Sequence, residues 1–171
     1  MELNRFFDRA IRAAFHDLGV ADDPAAEYLA GMLTRFARTE NLHPRGTVMP
    51  KLETVVDMLL EVQHLWEADS PDFRPEHEVS VRRHIGDYTL FMTGLFPERV
   101  QRTASMSYYV TEGKRAYRFV SEHDRAQGGR AHAPYQRLAE WFEGYMQALD
   151  YARRCYFVDP AAHPFFRLNF G

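Results

Sequence analysis

The residues best placed to do chemistry are a histidine and an aspartate three positions apart, His84 and Asp87. Residues at this spacing are neighbours on one face of a helix, so the carboxylate can hold the imidazole in one tautomer. Such a pair serves as a general base or as part of a metal site. The alternative, which the pattern favours, is a half-buried histidine satisfied by a local hydrogen bond.

Polar aromatic residues on the next long predicted helix could complete a site. Tyr109 falls on its apolar side and His123 lies at the margin of that side. If these two meet His84 and Asp87 in space, all four become candidate catalytic residues, with His84, Asp87 and His123 as candidate metal ligands. An aromatic stripe at helical spacing is also typical of a buried face. We therefore predict no cofactor, with a metal near His84 as the minor alternative.

One E-x-x-H motif, from Glu61 to His64, is of the kind that di-iron helical bundles use twice. An angular step of about 100° per residue puts both side chains on the polar face of their helix, opposite Leu59 and Trp66. Ligands of a core metal would point inward, so we interpret this motif as a solvated face. A glycine-rich phosphate loop, a nucleophile elbow and paired zinc-type cysteines are all missing from the sequence, which excludes the commonest sites of those classes.

The composition indicates one globular domain. The chain has 171 residues, of which 46% are hydrophobic and 14% aromatic, so a core of ordinary size is available. Its net charge of −3 and interleaved charges argue against nucleic-acid binding, for which a basic patch would have to come from dispersed arginines. Those arginines would be Arg82, Arg83, Arg99 and Arg102.

Cysteine content and hydropathy favour a cytoplasmic protein. The single cysteine, Cys155, cannot form an internal disulfide and is predicted to be a buried thiol in a reducing compartment. No apolar run reaches the roughly 18 residues needed to cross a bilayer, and the first residues lack the layout of a signal peptide. We expect no membrane partner.

Helical periodicity, punctuated by proline and glycine, predicts an all-α single domain over residues 1–171 with six or seven helices. Alternating strand patterns are missing from the sequence. Gly19, Asp23 and Ser107 are the predicted caps of the first, second and fifth long helices. The long helices are predicted at 3–18, 23–40, 50–67, 75–96, 107–127 and 134–158, with a short one at 97–104.

The helix at 75–96 is predicted to be the buried centre, because residues 88–96 are apolar almost all round. Gly86 and Gly94 lie near one face of it and predict close approach of neighbouring helices. In the last long helix Trp141 is assigned to the apolar stripe. The aromatic tail, residues 159–171, is predicted to pack on the bundle or on a partner chain.

The block from Gly86 to Glu98, GDYTLFMTGLFPE, is followed by Tyr108-Tyr109, Gly113 and Ala116-Tyr117. This stretch resembles a family of uncharacterised bacterial helical proteins. The resemblance implies a helical fold and brings no activity, cofactor or catalytic residue.

Two functional hypotheses follow. The first is a helical interaction module that binds another protein or itself, based on the aromatic tail and the mixed-charge surface. The alternative is a small-molecule or metal-dependent enzyme with a site between the fourth and fifth long helices, around His84, Asp87, Tyr109 and His123.

Overall fold

The computed structural model of the chain describes residues 2–37, 55–67, 74–128 and 134–157. Within them the chain is helical throughout and forms one domain, as predicted. The helices are α1 (Glu2–Asp17), α2 (Asp23–Phe36), α3 (Val55–Glu67), α4 (Pro75–Leu95), α5 (Pro97–Thr103), α6 (Met106–Ala126), α7 (Tyr135–Glu140) and α8 (Phe142–Cys155). Three predictions lie outside the described residues: the end of the second helix, the start of the third helix and the packing of the tail.

The helix α4 is the buried centre, as its apolar sequence predicts. It packs most extensively against α6 and also contacts α8, α3 and α5. Its polar residues Thr89 and Thr93 are buried because their hydroxyls donate to the carbonyls of Ile85 and Thr89, both at 2.7 Å. Because both hydroxyl donors are satisfied within α4 itself, the helix can be buried among other helices.

Two glycines of α4 allow this close packing, and the prediction for both is confirmed. A Cβ at Gly86 would lie 2.6 Å from the ring of Tyr117 on α6. A Cβ at Gly94 would lie 2.8 Å from the Cβ of Leu149 on α8. Both distances are too short for carbon atoms in contact, so only glycine lets these helices approach this closely.

The predicted cap residue was right for α1, whereas α2 and α6 are capped by residues other than those predicted. Gly19 ends α1 with φ of 69°, and the amide of Val20 donates to the carbonyl of Phe15 at 2.8 Å, which is a Schellman cap. The cap of α2 is Asp22, not Asp23, because the carboxylate of Asp22 accepts from the amide of Ala25.

The cap of α6 is likewise displaced from its predicted position. Ser105, not Ser107, accepts from the backbone amide of Tyr108. Because α5 ends at Thr103, the chain has only Ala104 and Ser105 in extended conformation before α6 begins.

The predicted last helix is two helices. The chain bends at Trp141, where φ and ψ are −110° and 25°, and α8 starts at Phe142. Phe142 is fully buried, whereas Trp141 is 63% exposed, so assigning Trp141 to the apolar stripe was wrong. The core stripe uses Leu138, Phe142 and Tyr145 instead, at spacings of four and three residues.

One further burial prediction was wrong. Cys155 is exposed at the last residue of α8, because the core side of this helix is taken by Leu149 and Ala152. Val56 is half exposed, since α3 turns Val55 and Met58 toward the core. In the described part of the chain, no helix has the length and apolar character required to cross a membrane.

Candidate functional site

The most elaborate polar arrangement in the described structure surrounds the buried carboxylate of Asp87, in the middle of α4. Its Oδ1 atom accepts hydrogen bonds from the hydroxyls of Tyr28 on α2, at 2.6 Å, and Tyr117 on α6, at 2.7 Å. Its Oδ2 atom accepts from Nη2 of Arg35 at 3.0 Å. One carboxylate therefore links three helices.

Helical spacing explains how these donors reach the same carboxylate. Tyr28 and Arg35 are seven residues apart on α2, about two turns, so both lie on the face toward α4. The guanidinium of Arg35 lies 5.6 Å from the centre of the Tyr28 ring, which fixes its direction. Tyr117 reaches Asp87 because its ring lies flat against Gly86, where a side chain would block it.

A second arginine and a third tyrosine complete this group. Arg83 lies one turn before Asp87 on α4, and Tyr135, at the start of α7, lies close enough to act on its charge. The ring of Tyr135 contacts the ring of Tyr28 at 5.5 Å and that of Tyr117 at 6.2 Å. We call these six residues the Asp87 cluster: Tyr28, Arg35, Arg83, Asp87, Tyr117 and Tyr135.

The electrostatics of the cluster keep Tyr28 and Tyr117 neutral and its arginines charged. Burial and then the negative charge of Asp87 raise the pKa of Tyr28 and of Tyr117 well above the usual 10.0. Partial burial opposes the charge on Arg35, but Asp87 and Tyr28 outweigh it and raise its pKa. For Arg83 burial again opposes the charge, but Tyr135, Tyr28 and Asp87 together outweigh it and raise the pKa.

In this geometry the carboxylate of Asp87 acts as a hydrogen-bond acceptor. Three donors occupy three of the roughly four lone-pair positions of the carboxylate, which are the positions a general base needs for a substrate proton. Phenols with raised pKa values are hydrogen-bond donors at neutral pH, not bases. The chemistry available to the cluster is therefore the orientation of two guanidinium groups.

The structure describes the surroundings of the four residues proposed as a catalytic group. The ring of His84 lies 5.7 Å from that of Phe36 and 6.3 Å from that of Tyr88. Tyr109 joins the same aromatic row, since its ring lies 6.4 Å from Tyr88. Burial raises the pKa of Tyr109, and a hydrogen bond from Tyr88 lowers it by less.

His123 lies away from that row. It is half-buried in the last turn of α6, six residues beyond Tyr117, which is about 9 Å along the helix axis. Among the described residues, no three His, Cys, Asp or Glu side chains are grouped so that they could hold a metal ion. The side chains of Glu61 and His64 lie outside that part.

A second buried carboxylate, Asp22, joins the start of α2 to α7 and α8. Besides capping α2, it accepts from the hydroxyl of Tyr145 at 2.6 Å and from Nε of Arg137 at 3.0 Å. Trp141 forms the bend between α7 and α8, four residues from Arg137 and four from Tyr145, and its indole is exposed.

Two more exposed apolar side chains lie at this place. Leu18 and Val20, in the turn that leads into Asp22, are 43% and 37% exposed. That turn is adjacent to α8, because the ring of Phe15 stacks on that of Tyr145 at 6.1 Å. We call Leu18, Val20, Asp22, Arg137 and Trp141 the Asp22 corner. It contains three of the six large apolar side chains that are exposed in the described structure.

A cleft of about 180 Å³ lies elsewhere, between α6 and α7. Its polar lining includes Arg125, Gln136 and Glu140, which already bond to one another, with Nε2 of Gln136 2.9 Å from Glu140. Pockets for drug-sized ligands start at about 300 Å³, so this cleft could hold no more than a side chain or a small ion.

The sequence contained signals for part of the Asp87 cluster and part of the Asp22 corner. An aspartate within an apolar helical stretch must find donors, and Tyr28 with Arg35 is a pair at a two-turn spacing on an adjacent helix. That Tyr135 and Arg83 join them depends on the packing of α7, which periodicity does not predict. The exposure of Trp141 depends on the bend between α7 and α8.

Comparisons with models of protein families, with curated proteins and with solved structures found no match to this chain.

Proposed function

We propose that the chain is a helical interaction module and that its docking surface is the Asp22 corner. The observation that carries the proposal is the 63% exposure of Trp141 in the segment whose Arg137 and Tyr145 bind the buried Asp22. Tryptophan and arginine are enriched among the residues that dominate the binding energy of protein interfaces. An exposed indole four residues from the half-exposed Arg137 is a combination of that kind.

Rigidity supports this proposal. A side chain whose neighbours are already ordered loses less entropy on binding than one on a mobile loop. Arg137 and Tyr145, four residues before and after Trp141, both bind Asp22, and Leu18 and Val20 add exposed apolar area in the turn before Asp22. Scattered single apolar side chains are normal on surfaces, but a group at one corner is typical of an interaction site.

A second copy of the chain is the partner to test first. Asp22 and Arg137 neutralise each other, so the corner can face a copy of itself without charge repulsion. We also propose a cytoplasmic location, which the single exposed cysteine suits, because a reducing compartment keeps it as a thiol.

Sedimentation equilibrium over a range of concentrations tests the proposal. The wild type is expected to associate, and Trp141→Ala is expected to weaken association at least tenfold, since interface tryptophans typically contribute about 2 kcal/mol. The matched control is Leu60→Ala, because Leu60 is 48% exposed on α3, away from the corner. If the wild type stays monomeric and captures no protein that the Trp141 variant fails to capture, the proposal is wrong.

Fewer observations support the enzyme hypothesis than support the interaction hypothesis. It would need His84, Asp87, Tyr109 and His123 to act together, and His123 lies about four turns beyond Tyr109 along α6. A metal near His84 stays a minor proposal, which metal analysis of the freshly purified protein would test.

A further inference from the structure

The cleft between α6 and α7 is lined by charged side chains that the interaction proposal does not use. Arg118, Glu122 and Arg125 lie four and three residues apart on α6 and therefore share one face of that helix. Gln136 and Glu140, one turn apart, line the cleft from α7. None of the residues that line it belongs to the Asp22 corner, so the cleft is a separate feature of the surface.

Two of these charged groups have no partner in the described structure. Arg125 donates to the side-chain carbonyl of Gln136, whose amide nitrogen lies 2.9 Å from Glu140, so these three side chains hold one another in place. By contrast, the side chains of Arg118 and Glu122 form no ion pair or hydrogen bond with any residue that the structure describes. An arginine four residues before a glutamate is the less favourable order for a helical ion pair. One guanidinium and one carboxylate are therefore free to bind a ligand.

The charge and the size of the cleft restrict the ligand. Its two arginines and two glutamates cancel, so a simple anion or a simple cation meets repulsion as well as attraction there. A molecule that has both charges can satisfy both free groups. The volume of the cleft is about 180 Å³, and a cavity of about 150 Å³ holds a benzene ring, so a small dipolar ion has room.

We propose that this cleft binds a free α-amino acid as its zwitterion, with the ligand carboxylate on Arg118 and the ligand ammonium group on Glu122. The planar fork of a guanidinium matches a carboxylate, and an ionised glutamate accepts from an ammonium group. Because Gln136 already orders Arg125 and Glu140, binding does not have to order the opposite wall. Exposed charge pairs contribute little, so the dissociation constant is expected to be on the order of 1 mM.

The experiment is a titration of the full chain with glycine at constant ionic strength, followed by NMR of the backbone amides. Glycine is the probe because it needs no side-chain pocket. Acetate and methylammonium, titrated separately, each present one half of its charges. The site predicts saturable shifts in α6 and α7 with glycine and shifts that stay linear with either half. Linear shifts with glycine, or saturation by acetate or methylammonium at the same concentration as glycine, would overturn the proposal.

Matched variants test the two free groups. Arg118→Gln and Glu122→Gln should each weaken glycine binding by about tenfold, the usual effect of losing a hydrogen bond to a charged group. Both residues are exposed, so the fold should tolerate either change. The controls, Arg102→Gln and Glu98→Gln, remove the same charges from exposed positions of α5 and should leave the affinity unchanged. Equal affinities for the cleft variants and their controls would contradict the proposal, and the association test at Trp141 would be unaffected.

Discussion

At the scale of single residues, buried tyrosines are the groups whose ionisation the fold opposes most. Tyr28 and Tyr117 donate to Asp87, and Tyr145 donates to Asp22. Each phenol has a buried carboxylate as its acceptor, so loss of its proton would place two negative charges side by side. Burial and the acceptor therefore raise all three pKa values above the usual 10.0.

This arrangement predicts a loss of stability in alkali. Above about pH 10 the unfolded chain releases these protons and the folded chain retains them, so the free energy of unfolding must fall as pH rises toward the folded pKa values. Urea denaturation between pH 8 and about pH 11 measures the slope. Tyr117→Phe removes one such group and should make the slope shallower. An unchanged slope in this variant would contradict the role assigned to Tyr117.

At the scale of elements, the start of α2 depends on one of two adjacent aspartates. Asp22→Ala should lower the free energy of unfolding by about 3 kcal/mol, because it removes a cap and an acceptor for Tyr145 and Arg137. Asp23→Ala should change it by less than about 1 kcal/mol, because Asp23 is 93% exposed and forms a surface ion pair with Arg12. Chemical denaturation of the two variants gives the comparison, and equal losses would contradict the assignment of Asp22 as the cap.

Two helical glycines provide a matched test of helix packing. Gly86→Ala should destabilise the fold by about 2 kcal/mol, because the added methyl would overlap the Tyr117 ring, and this outweighs the better helix propensity of alanine. Gly31→Ala on α2 should stabilise it by up to about 1 kcal/mol, since the new methyl meets Arg35 at an ordinary 3.7 Å. Thermal unfolding of both variants checks the sign; a stabilising Gly86→Ala would show that α4 and α6 are less closely packed than described.

The elements themselves were predictable because proline, glycine and apolar spacing act locally. Pro75, Pro97 and Gly19 mark helix ends by their own backbone preferences, whatever the tertiary packing. The choice between Asp22 and Asp23 was not predictable, since both are good caps and their tertiary partners decide. The bend at Trp141 also comes from packing, because the apolar spacing continues through it.

The donors of the Asp87 cluster could not be predicted from the sequence. The aspartate could be singled out, but its donors lie 59, 52 and 30 positions away along the chain. Local periodicity gives the face of each helix and not the rotation of one helix against another. The group of His84, Asp87, Tyr109 and His123 was proposed on helix faces alone, and the rotation of one helix against another decides which of these residues meet.

At the scale of the whole molecule, the two buried carboxylates link different sets of helices. Asp87 joins α2, α4 and α6 near the centre, and Asp22 joins α2 to α7 and α8 at one corner. Their arginine partners are partly exposed, so each buried group also orders charged side chains at the surface. Under our proposal the surface at the Asp22 corner binds a protein.

The fluorescence of Trp141 tests the interaction proposal most directly. The chain has two tryptophans, so the difference between the emission of the wild type and that of Trp141→Phe isolates Trp141. At low concentration the isolated emission should be that of an indole in water, as its 63% exposure requires. We predict a shift to shorter wavelength as concentration rises or when a captured partner is added, because docking removes water from the indole. An emission that stays constant throughout would contradict the Asp22 corner as the docking surface.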